Sequence, residues 1–274
     1  RLIFLRKILA HKTATILIPT RCRQANGTSI CLIRKMKILS EKSIFKYLPL
    51  EMNGYQRLIF DTIRITFEMI EYDYELLENE LHHLSQEKTK KEHTSRTFSH
   101  AWGIIDHSSR LIKLFQKLPS DSEHSILNPI LSVNAFRNTI QHLHERIDES
   151  MIENKSPFYG ILSWYHKNLE TEKLTPKILV SGITWAFNAN LTIPDVSDSS
   201  KEINDICLQT VNKKETILIN LTDLMQKLKS IADKNEEKVG AFFKEQGWKP
   251  CDWTKRKDIM INIKSEEKNN TDNN

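Results

Sequence analysis

Apolar residues recur at helical spacing from Ile59 onward. Ile63, Phe67, Ile70, Tyr74, Leu77, Leu81 and Leu84 step alternately by four and three. That period gathers them on one stripe and predicts a helix from about Gln56 to Gln86. The charged connection QEKTKKEHTS follows, with Thr94 or Ser95 placed to cap a second helix over about 96–118. Phe98, Trp102, Ile105, Leu111, Ile112, Phe115 and Leu118 supply its core side. After the turn-rich PSDSEHSILNP, a third helix is predicted from about Ile130 to Met151. Its stripe is Phe136, Ile140, Leu143 and Ile147.

Beyond Pro157 the pattern changes. FYGILSWYH and KILVSGITWAF are short runs rich in aromatic and β-branched residues. DICLQTV-NKK-ETILIN reads as a hairpin with Thr210 and Val211 set against Ile217 and Thr216. A last amphipathic helix is predicted from about Leu221 to Glu245, with Leu224, Leu228, Ile231, Val239 and Phe242 inward. The fold class is therefore α+β: mainly a helical bundle, then a small antiparallel sheet and a C-terminal helix. The expected division is a basic, poorly ordered extension over 1–51, a helical bundle over 52–155, sheet and closing helix over 156–248, and a tail over 249–274.

Charge sharpens the first boundary. The chain of 274 residues carries a net charge of +5, but residues 1–51 alone hold 11 Lys and Arg against two Glu. The remainder is net acidic, so the basic balance does not mark the globular body as a nucleic-acid binder. With no clear period, 1–51 is expected to be an extension, with Met36 and Met52 as candidate starts. A basic arm or targeting sequence is the competing reading. Seven glycines and the absence of GxGxxG or GxxxxGK[ST] exclude the common phosphate loops. Cys22, Cys31, Cys207 and Cys251 form no CxxC pair, which excludes zinc-finger spacing and points to a reducing, cytoplasmic setting without a membrane span.

Candidate chemistry lies on the third helix, in AFRNTIQHLHERIDE. With Phe136 at zero on a helical wheel, Ile140, Leu143 and Ile147 fall within about 40°. Asn138, His142 and Glu145 fall at roughly 180–240°, and Arg137 and His144 near 80–100°. Arg137 and His142 are thus about 140° apart, so joint action needs a second subunit or a helix distortion. Core packing requires none of these five polar groups. Arg137-Asn138-Thr-Ile-Gln-His142 resembles the R-x(4–6)-H signature of HEPN-domain ribonucleases, and His144 also satisfies the spacing. The resemblance implies a homodimer whose two signatures line one cleft. It further implies metal-independent RNA cleavage of the toxin or host-defence type, with a neutralising antitoxin as a partner. In that reading His142 is the acid/base, Arg137 holds phosphate and Asn138 supports them. His144, Glu145, His107 and Arg110 are accessory.

The residue types suit that chemistry, because imidazole exchanges protons near neutrality and guanidinium grips phosphate oxygens with two donors. The plain alternative is a solvated helix face with Arg137–Gln141 and Gln141–Glu145 pairs. A non-catalytic dimerisation or protein-interaction module is the alternative function. Arg6–His11 also fits R-x4-H, within the segment expected to be unordered. Asp106 and His107 are adjacent and point apart on a helix, so they form no hydrolase dyad. Glu80-x-x-His83 has no second copy, so no metal and no cofactor are expected.

Overall fold

A computed structural model of the chain describes residues 36–86, 91–118, 124–146, 157–181, 193, 196, 201–212 and 215–252. Helix α1 runs Gly54–Ser85 and is capped by Asn53, whose side chain accepts from the Gln56 amide. Every residue of its predicted stripe is buried. Helix α2, Lys91–Phe115, packs along it. It begins earlier than expected, so Thr94 and Ser95 lie inside the helix rather than before it. Lys and Glu are good helix formers, so Lys91 and Glu92 open the helix ahead of the expected caps.

The expected extension over 1–51 is corrected in its last part. Residues 1–35 lie outside the described residues, but Ile38, Leu39, Phe45, Leu48 and Met52 are all core. A 3-10 turn, Ile44–Lys46, delivers Phe45 onto Phe60 at 5.8 Å and Phe67 at 6.4 Å between ring centroids. The Glu71 carboxylate on α1 accepts from the amides of Ile38 and Leu39. Irregular backbone carries no hydrophobic period, which is why this stretch reads as unordered.

The third helix is also shorter than expected. A 3-10 stretch, His124–Ile130, leads into α3, Val133–Gln141, which ends at His142. A 3-10 turn, Leu143–Arg146, follows. Phe136 is buried and Ile140 packs against the core, while residues 147–156 lie outside the described residues. A short apolar stripe is compatible with a tightened last turn, so spacing alone places the helix end poorly.

Strands β1 (Ile161–Lys167), β2 (Leu174–Val180), β3 (Ile203–Asn212) and β4 (Glu215–Asn220) form one antiparallel sheet in the order β2-β1-β3-β4. The predicted hairpin register holds, with Thr210 against Ile217 and Val211 against Thr216. Central strand β3 is buried almost throughout, whereas β2, with Pro176, is a half-exposed edge. Register shifts between Ser163 and Tyr165, where β3 bulges at the buried Asp205 with φ of 47°. Before β1, Gly160 sits at φ of 88°, and a Cβ there would overlap the Gln209 carbonyl oxygen.

Helix α4, Leu221–Glu245, is capped by Asn220 and packs on β3. Leu224, Leu228 and Ile231 are inward and Val239 packs at the edge of the core, but Phe243 rather than Phe242 is buried. The buried face is centred nearer Met225 and Ala232, which carries Phe243 inward. Exposed Phe242 meets Trp248 edge-on at 5.4 Å. A continuous apolar core joins these elements, from Ile38 through Phe67, Ile105 and Leu208 to Phe243. Among the described residues no helix is long and apolar enough to cross a membrane.

Candidate functional site

The signature residues divide between two neighbouring places. On α3, Arg137 is largely buried and its Nε donates to Asp106 Oδ1 of α2 at 3.1 Å. Arg110 reaches the other oxygen of the same carboxylate at 2.6 Å and is 59% exposed. One carboxylate therefore clamps two guanidinium groups at the α2–α3 crossing. Arg137 pairs across helices, not with Gln141 as a solvated face would have it. Asn138 is exposed, and its carbonyl accepts from the His142 amide at 3.3 Å.

His142 occupies the helix end, φ −105° and ψ 22°, with its side chain half exposed. Its Nδ1 lies 3.0 Å from Glu145 Oε2 on the following turn. An ionised carboxylate only accepts, so Nδ1 carries a proton, and Nε2 is the ring nitrogen turned away from Glu145. His144, the most exposed of the three, has Nε2 3.6 Å from Glu145 Oε1. The structure thus gathers His142, His144 and Glu145 on one turn, and Arg137 with Arg110 around Asp106. The 140° separation on a continuous wheel does not apply, because the α-helix stops at Gln141.

The accessory residues also separate. Asp106 turns toward α3, as just described, while adjacent His107 turns toward α1, with Nε2 3.4 Å from Asp73 Oδ2. His107 therefore does not join Arg110. The two neighbours do point apart, as helix geometry requires.

Sequence reasoning missed the partners of the other histidines. Asp73 holds His100 Nδ1 at 3.1 Å as well as His107, and Glu80 holds His93 Nδ1 at 2.5 Å. His93 in turn stacks on His83 at 5.5 Å. His93, His100 and His107 recur every seven residues on α2, and Asp73 and Glu80 match that step on antiparallel α1. The spacing was visible on each helix; the register between them was not. At Gly103, between His100 and His107, any Cβ would collide with the Asp73 carboxylate. Across the fold, Glu202 Oε1 lies 3.5 Å from His166 Nε2 and 2.7 Å from His82 Nδ1, the latter off the line of a hydrogen bond. Among the described residues no three His, Cys, Asp or Glu side chains are arranged to hold a metal ion. Cys207 is a buried free thiol whose pKa is pushed up to about 12, by burial first and then by Asp205 and Asp223. It is no thiolate nucleophile.

Comparison with protein-family models, curated proteins and solved structures returns no match.

Proposed function

We propose that this chain is a metal-independent RNA endonuclease of the toxin or host-defence type, acting through the turn that ends α3. The observation carrying this reading is the pairing of the half-exposed His142 with Glu145, which leaves Nε2 as the basic nitrogen facing away from the carboxylate. In the reaction, Nε2 takes the proton of a ribose 2′-hydroxyl. The 2′-oxygen attacks phosphorus, the bond to the 5′-oxygen breaks, and that oxygen takes a proton from His144. The products are a 2′,3′-cyclic phosphate and a free 5′-hydroxyl. Arg137 and Arg110, clamped by Asp106, offer the cationic charge that a phosphorane needs, and Asn138 is an exposed polar support beside it.

A non-catalytic interaction module remains the second reading. What favours it is the same Arg137–Asp106 pair, which gives Arg137 a structural partner without any substrate.

The deciding experiment follows cleavage of end-labelled RNA in excess EDTA. His142→Ala should lose about 10²-fold or more of the rate, the contribution of a general acid–base group. Glu145→Gln should lose less and shift the pH profile. Growth arrest on expression of the wild type should vanish with His142→Ala. Equal cleavage by wild type and His142→Ala would remove the nuclease reading and leave the interaction module.

A further inference from the structure

Helix α1 has a second apolar stripe that the other described residues leave uncovered. Tyr55 is 62% exposed, Leu58 66%, Ile65 42%, Met69 42% and Tyr72 62%. Thr62 and half-buried Leu76 continue the series. The positions 55, 58, 62, 65, 69, 72 and 76 step strictly by three and four. That is the seam of a helix made to pack lengthwise on another helix, beside the stripe that already packs the core. The chain thus gives one helix two apolar faces, and α2 takes only one.

The exposed part of these five side chains amounts to on the order of 500 Å², at the upper end of what a monomeric protein leaves bare. Two such stripes brought together would remove on the order of 1,000 Å², where specific interfaces begin.

The order of residues identifies the occupant. Read in either direction from Ile65, the stripe is complementary to itself. A two-fold axis at Ile65 sets Leu58 against the partner's Tyr72, Thr62 against the partner's Met69, and Tyr55 against the partner's Leu76. Each bulky tyrosine meets a leucine, and its hydroxyl reaches the wet rim. Charge selects the same direction. The first half of α1 balances Arg57 and Arg64 against Asp61 and Glu68, while the second half carries Glu71, Asp73, Glu75, Glu78 and Glu80. A parallel pair would bring two acidic halves together, and an antiparallel pair separates them.

We infer that the outer stripe of α1 is the seam along which two copies of this chain pair, antiparallel, about a two-fold axis at Ile65. This differs from the pairing along the signature helix that the HEPN resemblance implies. The seam is on α1, whereas Arg137 and His142 belong to α3 and its end, across α2. The inference stands independently of the nuclease reading.

Sedimentation equilibrium of the full chain tests it. The wild type should have twice the chain mass of 32.1 kDa. Ile65→Glu places two like charges on the axis and should raise the dissociation constant at least about 100-fold, with the circular dichroism spectrum unchanged. Leu58→Lys and Tyr72→Glu should each weaken pairing, and the double variant, which sets opposite charges face to face, should restore it. This rescue distinguishes a lost interface from a lost fold. A monomeric wild type at about 100 μM, a dimer that persists in Ile65→Glu, or a double variant weaker than both single variants would overturn the inference.

Discussion

At Gly103 two effects of a single methyl group oppose each other. Alanine in a helix interior is favoured over glycine by about 1 kcal/mol. Here the added Cβ must push the Asp73 carboxylate off His100 and His107. Overpacking of this kind costs about 1–3 kcal/mol, so Gly103→Ala should be net destabilising in urea unfolding. In an Asp73→Ala background the obstruction is gone, and the same substitution should stabilise by up to about 1 kcal/mol. A reversed sign between the two backgrounds is the expected result. Glu78 offers a pH-dependent counterpart. Burial raises its carboxyl pKa above the usual range, against the opposing pull of Lys201 and Tyr74. Its contribution to stability is therefore complete below the ordinary carboxylate value of about 4.3 and is lost as pH rises through the raised folded value. Glu78→Gln should be more stable than the wild type at pH 7, with the gap closing toward pH 4. Urea midpoints at the two pH values check this.

Among the elements, the segment before α1 is the least regular and still carries core weight. Phe45 is 1% exposed and packed against two phenyl rings, so Phe45→Ala should cost about 3–5 kcal/mol, read as a fall in the urea midpoint. An unordered extension would give no change. This contrast explains what the sequence disclosed. The stripe of α1 and the hairpin of β3 and β4 were legible because each repeats a period over several turns or pairs. Phe45 was not, because one 3-10 turn sets its direction. The end of α3 escaped for a related reason: Leu143 and Ile147 extend the stripe whether or not the backbone remains α-helical. The site was legible to the same degree. The residue types around Arg137 and His142 could be read along the chain, as could the seven-residue spacing of His93, His100 and His107. That Asp106 holds Arg137, and Asp73 two histidines, depends on the register between helices, which no single helix encodes.

At the scale of the whole molecule, one buried hydroxyl ties the bundle to the sheet. Thr222 Oγ1, at the start of α4, lies 3.1 Å from the Tyr74 hydroxyl of α1 and accepts from the Ile206 amide of β3 at 3.1 Å. Three elements thus converge on a buried oxygen, and Trp164 of β1 adds a second tie by donating to Ser85 of α1 at 3.0 Å. The two substitutions that break the first junction are unequal. Tyr74→Phe removes a hydroxyl shared by Thr222 and Glu78 and leaves the Ile206 amide bonded to Thr222, so the loss should be about 1 kcal/mol for each hydrogen bond given up. Thr222→Val keeps the shape but strands the Ile206 amide away from water, while the phenol keeps the Glu78 carboxyl as a partner. An unmet buried amide costs about 1–3 kcal/mol on top of the lost contact with the phenol, so Thr222→Val should be the more damaging. In the double variant the contact with Thr222 is already gone and only the one with Glu78 is left to lose, so Tyr74→Phe should cost less on top of Thr222→Val than it does alone. A double-mutant cycle in urea measures this non-additivity. Because the apolar core is continuous across the junction, helix signal and tryptophan fluorescence should lose their native values at one midpoint in all four proteins. Additive losses, or a sheet that melts before the helices, would mean that the two layers fold as separate units.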